Sequence, residues 1–210
     1  MVFCILARMS ATSSEGLRAG ENKDGRRQHV LDAALLIFAR YGYRKASVED
    51  VARAADISRP GLYLYFPSKQ ELFRAAVTYA LDRDVAAAER TLVDTARPLR
   101  DRLIDAFDRW TGRYVGPLAQ DIAVVIEGNP ELLGPLVAAY PKRFATLVTD
   151  AIAAEIAAER GGMARDVART LLSMAYGIKH ETSTREDFLA RMTIGIDLLL
   201  LALDRSGESG

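Results

Sequence analysis

The chain has 210 residues, half of them apolar, and its 28 basic and 28 acidic side chains give a formal net charge of zero. This length and apolar content allow one large domain, or a small domain joined to a larger one. A single cysteine excludes an intrachain disulfide framework, and no segment reaches the roughly 18 apolar residues of a membrane span, so we expect a reduced, cytoplasmic protein without a membrane partner.

The N-terminal segment, residues 1–25, is predicted to be a disordered arm. Residues 10–25 are rich in serine, glycine and charge, and such a composition does not support a packed core. The apolar run around Cys4 is too short for the core of a signal peptide. We interpret residues 1–8 as disordered or as an over-extended start, with Met9 as the initiator.

A first helix is predicted from about Arg26 to Tyr41. Apolar residues recur there at helical spacing, and Gly42 follows as a C-cap. The residues predicted to face inward are Leu31, Ala34, Leu35 and Phe38.

Two short helices joined by a tight turn are predicted between Ala46 and Phe66. Ser47 and Asp50 form an S-x-x-D capping box at the start of the first helix. Ser58 can cap the second. Its first turn holds a proline, where the missing N–H does no harm. The apolar positions predicted to face inward are Val48, Val51, Ala52, Ala55, Ile57, Leu62 and Phe66.

The outward surface of the second short helix is predicted to hold Arg59, Gly61, Tyr63 and Tyr65. Hydroxyls reach phosphate oxygens, and arginine can form two hydrogen bonds to guanine in the major groove. Gly61 costs about 1 kcal/mol relative to alanine inside a helix, and close approach of a partner to the backbone would offset this cost. The pattern predicts a helix-turn-helix whose second helix reads DNA.

A long helix is predicted from Ser68 to about Ala96, joining this DNA-binding head to the rest of the chain. Ser68 begins a second capping box, and Lys69 can meet a phosphate at the positive helix end. Further helices are predicted over 98–115, 117–128, 130–160, 164–179 and 184–205, and Pro135 and Pro141 are expected to kink or interrupt the third. No stretch alternates with a period of two, so the predicted fold class is all-α.

The last two predicted helices are unusually apolar. Residues 194–203 are apolar at every position except Asp197, so this helix must be covered on more than one side. A second copy of the chain is the predicted cover, and a core helix in a monomer is the alternative. The residues predicted at the interface between copies are Leu171, Met174, Ile178, Met192, Ile196, Leu199 and Leu203.

The run from Arg27 to Phe73 resembles the N-terminal DNA-binding domain of the TetR family of transcriptional regulators. The matching pieces are Val30-Leu31-Asp32-Ala33-Ala34, Phe38, Gly42-Tyr43, Ser47-Val48, Val51-Ala52, Ile57-Ser58, Gly61-Leu62-Tyr63, Tyr65-Phe66 and Ser68-Lys69-x-Glu71-Leu72. Asp56 stands where the family usually has glycine, and aspartate tolerates the left-handed backbone that such a turn needs.

The resemblance implies a domain plan for the whole chain. A three-helix DNA-binding head is expected over 26–75, a larger helical body over 76–205, and a disordered tail over 206–210. The body would bind a small molecule and dimerise through its last two helices as a four-helix bundle. Two-fold symmetry would then present two reading helices about 34 Å apart to a palindromic operator in double-stranded DNA.

The predicted DNA-binding residues fall into two groups. Those assigned to the phosphates are Ser47, Ser58, Tyr65 and Lys69, with Arg27 and Lys45 at the flanks. Those assigned to the groove are Arg59, Pro60, Gly61 and Tyr63, where Arg59 reads a base and Pro60 touches a thymine methyl group.

A ligand pocket in the body is predicted from aromatic residues, because small-molecule pockets are mostly apolar with a few polar groups. Ordinary core packing is the alternative explanation for residues at this helical spacing. The predicted ligand-binding residues are Phe107, Trp110, Tyr114, Tyr140, Phe144 and Met174, with Arg113 and Tyr176 beside them.

Patterns typical of catalysis and metal binding are absent from the sequence. The two histidines, His29 and His180, lie far apart, and no H-E-x-x-H, C-x-x-C, G-x-S-x-G or phosphate-cradling glycine loop occurs. We therefore expect no enzyme activity, no cofactor and no metal site.

The expected function is that of a homodimeric repressor that leaves its operator when a small molecule binds the body. The alternatives are a constitutive or architectural DNA-binding dimer without an effector, a transcriptional activator, and a ligand-binding protein that has lost operator binding.

Overall fold

The computed structural model describes residues 19–116, 130–156 and 161–205. The predicted arm as far as residue 18, including Cys4 and Met9, the predicted helix over 117–128 and the predicted tail over 206–210 lie outside these residues. Within the described part, the regular elements are helices, which confirms the all-α class. They are α1 (Ala19–Lys45), α2 (Val48–Ala54), α3 (Arg59–Tyr65), α4 (Lys69–Leu92), α5 (Leu99–Trp110), a 3-10 turn (Gly112–Tyr114), α6 (Pro130–Leu133), α7 (Leu136–Ala153), α8 (Gly161–Glu181) and α9 (Arg185–Arg205).

Helix α1 begins earlier than the sequence predicted. It starts at Ala19, so residues 19–25 are helical and the prediction of disorder there was wrong. Once a helix is nucleated, each added residue gains a backbone hydrogen bond, and a polar segment can therefore extend it without an apolar stripe. At the other end, Gly42 leaves the helical conformation, with φ 71° and ψ 162°.

The turn between α2 and α3 depends on a left-handed residue. Asp56 has φ 51°, and it is the one non-glycine residue with positive φ in the described part of the chain. The Ile57 N–H donates to the Ala52 carbonyl oxygen at 3.0 Å across this turn. Aspartate therefore takes the left-handed conformation expected at the position where the family usually has glycine.

Helix α4 takes part in two separate cores. Phe73 and Val77 pack in the head with residues of α1, α2 and α3, while Ala88 and Leu92 pack in the body core. Leu133 of α6 is also buried in the head core, at 1% exposure. The head is therefore joined to the body by the continuous helix α4 and by a leucine from a distant part of the chain.

Two of the helices end earlier than predicted, while α8, at Gly161–Glu181, is longer than the predicted 164–179. α4 ends at Leu92 and α5 at Trp110. The predicted helix over 130–160 is interrupted between α6 and α7, where Gly134 has φ 54°. Pro141 lies inside α7 without ending it. Pro135 acts as the N-cap of α7, because proline lacks the N–H that a helix interior requires.

Arginines connect the ends of the body helices. Buried Arg102 donates from Nη1 to the Leu92 carbonyl oxygen at 2.7 Å and pairs with Glu155. Arg100 pairs with Asp197, the one polar residue of the apolar run in α9. Within the described residues, no helix combines the length and apolar character that crossing a lipid bilayer requires.

Candidate nucleic-acid interface

Helix α3 presents polar and apolar side chains to solvent. Arg59, Pro60 and Tyr63 are exposed, as the sequence predicted for a reading surface. The Arg59 guanidinium lies 5.8 Å from the centre of the Tyr63 ring, so the cation covers an aromatic face on the same helix. These three side chains contribute nothing to the head core and are free to contact a partner.

Leu64 also belongs to this surface, although it was not among the residues predicted there. It is 88% exposed, although it is a large apolar residue in the middle of α3. Two inward residues, Leu62 and Phe66, flank it at positions two before and two after. Because each helical residue turns by about 100°, the position midway between them faces away from the core. Helical spacing alone would therefore have identified Leu64 as outward.

Ser58 caps α3 and constrains its glycine. The Ser58 Oγ accepts a hydrogen bond from the Gly61 N–H at 3.1 Å, and a Cβ atom on Gly61 would lie 3.0 Å from that oxygen. Glycine at this position is thus explained in part by the cap itself. The Ser58 hydroxyl proton is not used in this contact, so it can be donated to a phosphate.

Ser47 differs from Ser58 because its hydroxyl proton is already used. Its Oγ donates to Asp50 Oδ2 at 2.6 Å and accepts from the Asp50 N–H at 3.1 Å. The Ser47 N–H donates to the same carboxylate oxygen at 3.1 Å, which completes the predicted capping box. These bonds lower the pKa of Asp50. Ser47 is therefore a weaker candidate than Ser58 for donating to a phosphate.

Lys69 joins the start of α4 to the end of α1. Its Nζ donates to the Arg44 carbonyl oxygen at 3.3 Å and lies 4.7 Å from the centre of the Tyr43 ring. Partial burial lowers the pKa of Lys69. An ammonium group has three donors, so further hydrogen bonds remain for a phosphate. Exposed Lys45 follows Arg44 directly, which adds a second cation nearby.

Arg27 and Tyr65 both lie near the ring of Phe66. The Arg27 guanidinium is 5.2 Å from the centre of the Phe66 ring, and the ring centres of Tyr65 and Phe66 are 6.4 Å apart. Arg27 is exposed and Tyr65 is half-buried. Both side chains therefore lie near the C-terminal end of α3, as candidate flanking contacts.

Four of the residues predicted to bind a ligand lie in or against the same body core, and the other two contact α4. Phe107 and Phe144 are fully buried, with ring centres 5.4 Å apart, and Trp110 stacks on Phe144 at 4.9 Å. The Tyr114 and Tyr140 hydroxyls are bonded to carboxylates of α4. Met174 packs where α8 crosses α9, because a Cβ on Gly195 would lie 1.9 Å from its Cε. Tyr176 is 68% exposed, which contradicts its prediction as a pocket residue.

Most of the predicted dimer contacts on α8 and α9 are already buried within the protomer. Five of the seven residues are buried inside the protomer, because they pack the last two helices against the body core. They are Leu171, Ile178, Met192, Ile196 and Leu203. The other two, Met174 and Leu199, are partly buried against the same core.

A different set of apolar residues on these helices is exposed. Ile194 is 61% exposed and Leu198 is 63% exposed, one turn apart on α9. Leu201 continues this stripe, and Tyr176 lies exposed on α8. We call these four residues the terminal apolar face. Burial in a partner is the usual reason for a contiguous exposed apolar stripe.

Comparisons with known proteins agree with the helix-turn-helix geometry. Residues 30–76 match the sequence model described as bacterial regulatory proteins, tetR family. The chain is 32% identical to the HTH-type transcriptional activator FasR of Mycolicibacterium smegmatis over 133 residues, 62% of this chain and 58% of FasR. It is 34% identical to the HTH-type transcriptional repressor KstR of the same organism over 88 residues, 42% of this chain and 43% of KstR. The chain thus spans less than two thirds of the length of these curated relatives.

The fold is also found among solved structures. A TetR-family transcriptional regulator from Mesorhizobium loti superposes with a TM-score of 0.69 at 17% identity, covering 85% of this chain and 96% of that one. At this identity the likeness concerns the fold. Residues 30–76 therefore resemble the DNA-binding domain of the tetR family of bacterial regulatory proteins, and the chain as a whole shares the all-helical fold of the solved structure.

Proposed function

We propose that the protein is a homodimeric transcriptional regulator that binds a palindromic operator and leaves it when a small molecule binds the body. The observation that carries this proposal is the surface of α3. Arg59, Tyr63 and Leu64 project from a capped helix without contributing to the head core. Such a surface combines a guanine reader, a hydroxyl donor and an apolar group suited to a thymine methyl.

Phosphate anchors lie on either side of this reading surface. Ser58 keeps a hydroxyl proton at the start of α3, and Lys69 keeps donors at the start of α4. Helix N-termini attract anions, which strengthens both contacts. The anchors would set the position of the head on the duplex, while the side chains of α3 would select the sequence.

The terminal apolar face supports the dimer. A second copy placed on Ile194, Leu198, Leu201 and Tyr176 would cover apolar groups that are otherwise in water. Two-fold pairing would present two α3 helices to successive major grooves, about 34 Å apart.

Release by a ligand requires only a modest coupling energy. A small molecule that binds better to a dimer with the wrong spacing of its heads lowers operator affinity by population shift. A tenfold loss corresponds to about 1.4 kcal/mol. Since the relatives include an activator and a repressor, the sign of regulation at each gene would follow from the position of the operator relative to the promoter.

Selection of bound duplexes from a random pool tests this function. We expect a pseudo-palindrome with half-sites about one helical turn apart, because a symmetric dimer reads the same sequence twice. Light scattering on the same sample gives the mass of the free and bound protein. Enrichment of no sequence, or of a single half-site bound by one chain, would contradict the proposal.

A constitutive dimer without an effector is the second candidate. The contacts of Phe144 with Phe107 and Trp110 favour it, since these aromatic residues pack against one another in the body core. A thermal-shift screen of metabolites separates the two functions. A compound that stabilises the protein and lowers its affinity for the operator supports the regulated dimer. If no stabilising compound changes operator affinity, the constitutive dimer is supported.

A further inference from the structure

One turn of α4, residues 82–84, makes contacts with both the head and the body. Asp82 Oδ1 accepts a hydrogen bond from the Tyr140 hydroxyl of α7 at 2.6 Å. Asp84 accepts a hydrogen bond from the Tyr114 hydroxyl in the 3-10 turn. Two tyrosines from separate elements of the body thus donate to two carboxylates of the same helical turn.

Arginines complete the contacts of this turn. Arg113 Nη1 donates to Asp84 Oδ1 at 2.7 Å, next to the tyrosine bond. Arg83 Nη1 lies 3.1 Å from Asp32 Oδ1 of α1, in the head. Successive side chains of a helix point about 100° apart. As a result, α4 is held at this turn from three directions, two towards the body and one towards the head.

The two tyrosine–carboxylate bonds are protected from water to different extents. Asp84 is 3% exposed and lies near three arginines, Arg83, Arg109 and Arg113. Asp82 is exposed, but its partner Tyr140 is buried. Hydrogen bonds to charged groups are stronger than neutral ones, and more so where water is excluded.

Because residues 82–84 lie on the same continuous helix as the head contacts of α4, a shift of this turn also shifts the head. The helix runs without a break from Lys69 to Leu92, so Asp82 lies about 20 Å along the helix axis from Lys69. Phe73 and Val77, between them, are buried in the head core. A change of roll or tilt at residues 82–84 is therefore carried directly to the head.

We infer that Asp82 and Asp84 are positioning residues for DNA recognition, because the hydroxyls of Tyr140 and Tyr114 fix the angle at which α4 holds the head against the body. The inference rests on the proposed DNA-binding function and adds residues that never touch DNA. A head held at one angle loses less conformational entropy on binding its operator than a head whose angle to the body varies.

The angle of the head can be measured without DNA. With Cys4 replaced by serine, spin labels on Ala54→Cys in α2 and Ala153→Cys in α7 report one head-to-body distance, both sites being exposed. Labelled chains are diluted with unlabelled ones, so that only distances within a chain contribute. The Tyr140→Phe and Tyr114→Phe variants keep the ring and remove the donor.

We expect a wider distance distribution with a shifted mean in each tyrosine variant and in Asp82→Ala. Asp82→Asn keeps an acceptor oxygen and should retain the narrow distribution. Tyr41→Phe, which removes a hydroxyl from an exposed tyrosine of α1, is the matched control. Thermal unfolding identifies any variant that has lost its fold. Unchanged distributions in folded Tyr140→Phe and Tyr114→Phe would overturn the inference.

Operator affinity gives a second measurement, and a residue that only stabilises the fold would not change its dependence on operator spacing. On the selected operator, Tyr140→Phe should bind with about tenfold lower affinity than the unmodified protein. On operators with one base pair added or removed at the centre, the same substitution should lower the affinity by a smaller factor. Equal losses on all spacings would also overturn the inference. If the unmodified protein selects no operator, the proposed function fails, and the distance measurement still decides whether these residues position the head.

Discussion

Leu62 and Leu64 lie two positions apart on α3 and have opposite environments. Leu62 is fully buried in the head core, whereas Leu64 is 88% exposed. Two helical steps turn the side chain by about 200°, which places the two leucines on opposite faces. Leu64 is therefore the apolar member of the proposed reading surface.

Truncation of Leu64 should weaken operator binding at one base pair. Leu64→Ala removes the group expected to contact a thymine methyl, and we expect a loss of about 1 kcal/mol. Binding is measured on the selected operator and on copies with deoxyuridine in place of each thymine. At the contacted thymine, deoxyuridine should weaken the unmodified protein but not Leu64→Ala. The control is Val93→Ala, a truncation of another exposed apolar side chain, just after the end of α4.

Arg59 and Lys69 should differ in how they affect binding. Arg59→Ala should relax preference at one base pair by about 1–3 kcal/mol, because the side chain reads a base edge. Lys69→Ala should weaken binding to all sequences and reduce the salt dependence by about one phosphate contact. Affinities on operator and random DNA at several salt concentrations give both values. Arg165→Ala in α8 is the control, and identical profiles for the two head variants would contradict this division.

A charge on the terminal apolar face should separate the dimer. Ile194→Asp and Leu198→Asp place carboxylates where a second copy is expected, and an unpaired charge is costly to bury. Light scattering should show monomers at concentrations where the unmodified protein is dimeric. Thr146→Asp, an exposed site on α7, should leave the mass unchanged. Dimers in both α9 variants would exclude this face as the interface.

Alkaline pH should destabilise the protein through Tyr140. Burial, and then the bond to Asp82, raise the pKa of Tyr140 to about 12. Below the ordinary tyrosine pKa of 10.0 both folded and unfolded chains keep the proton. Between the two values the unfolded chain loses it first, so the stability from this group falls as pH rises. Urea unfolding across this range should show a shallower decline in Tyr140→Phe, and parallel curves would contradict the assignment.

Leu133→Ala should destabilise the head although the substitution lies in the body. Leu133 is 1% exposed within the head core, and truncating a buried leucine costs about 2–5 kcal/mol. Hydrogen exchange should report lost protection in α1 and α2. Val137→Ala, at a 43% exposed position of α7, is the comparison. Unchanged protection in the head would show that Leu133 does not support it.

Local sequence was sufficient for the helix-turn-helix. The Ser47–Asp50 capping box, the Ser58 cap with Pro60 after it, and the left-handed Asp56 all appear as predicted. Each depends on neighbours within a few residues, where backbone chemistry alone decides the conformation. The outward position of Leu64 was also encoded locally, by its spacing from two inward residues.

The faces of the body helices could not be decided locally. The apolar run of α9 offers several stripes, and periodicity does not say which one meets the protomer's own core. The structure turns Met192 and Ile196 inward and leaves Ile194 and Leu198 outward. The predicted ligand pocket is open to the same ambiguity, because residues such as Phe107 and Phe144 at helical spacing serve a core as well as a ligand site.

By itself, the sequence determined the helical class, the caps and the reading helix, since these follow from interactions between residues close in the chain. Only the tertiary structure decided that Leu133 enters the head core and that Tyr114 and Tyr140 hold α4 through its carboxylates. Tyr140 and Asp82 are 58 positions apart in the chain. Contacts at such separations depend on how whole helices pack, which no local pattern specifies.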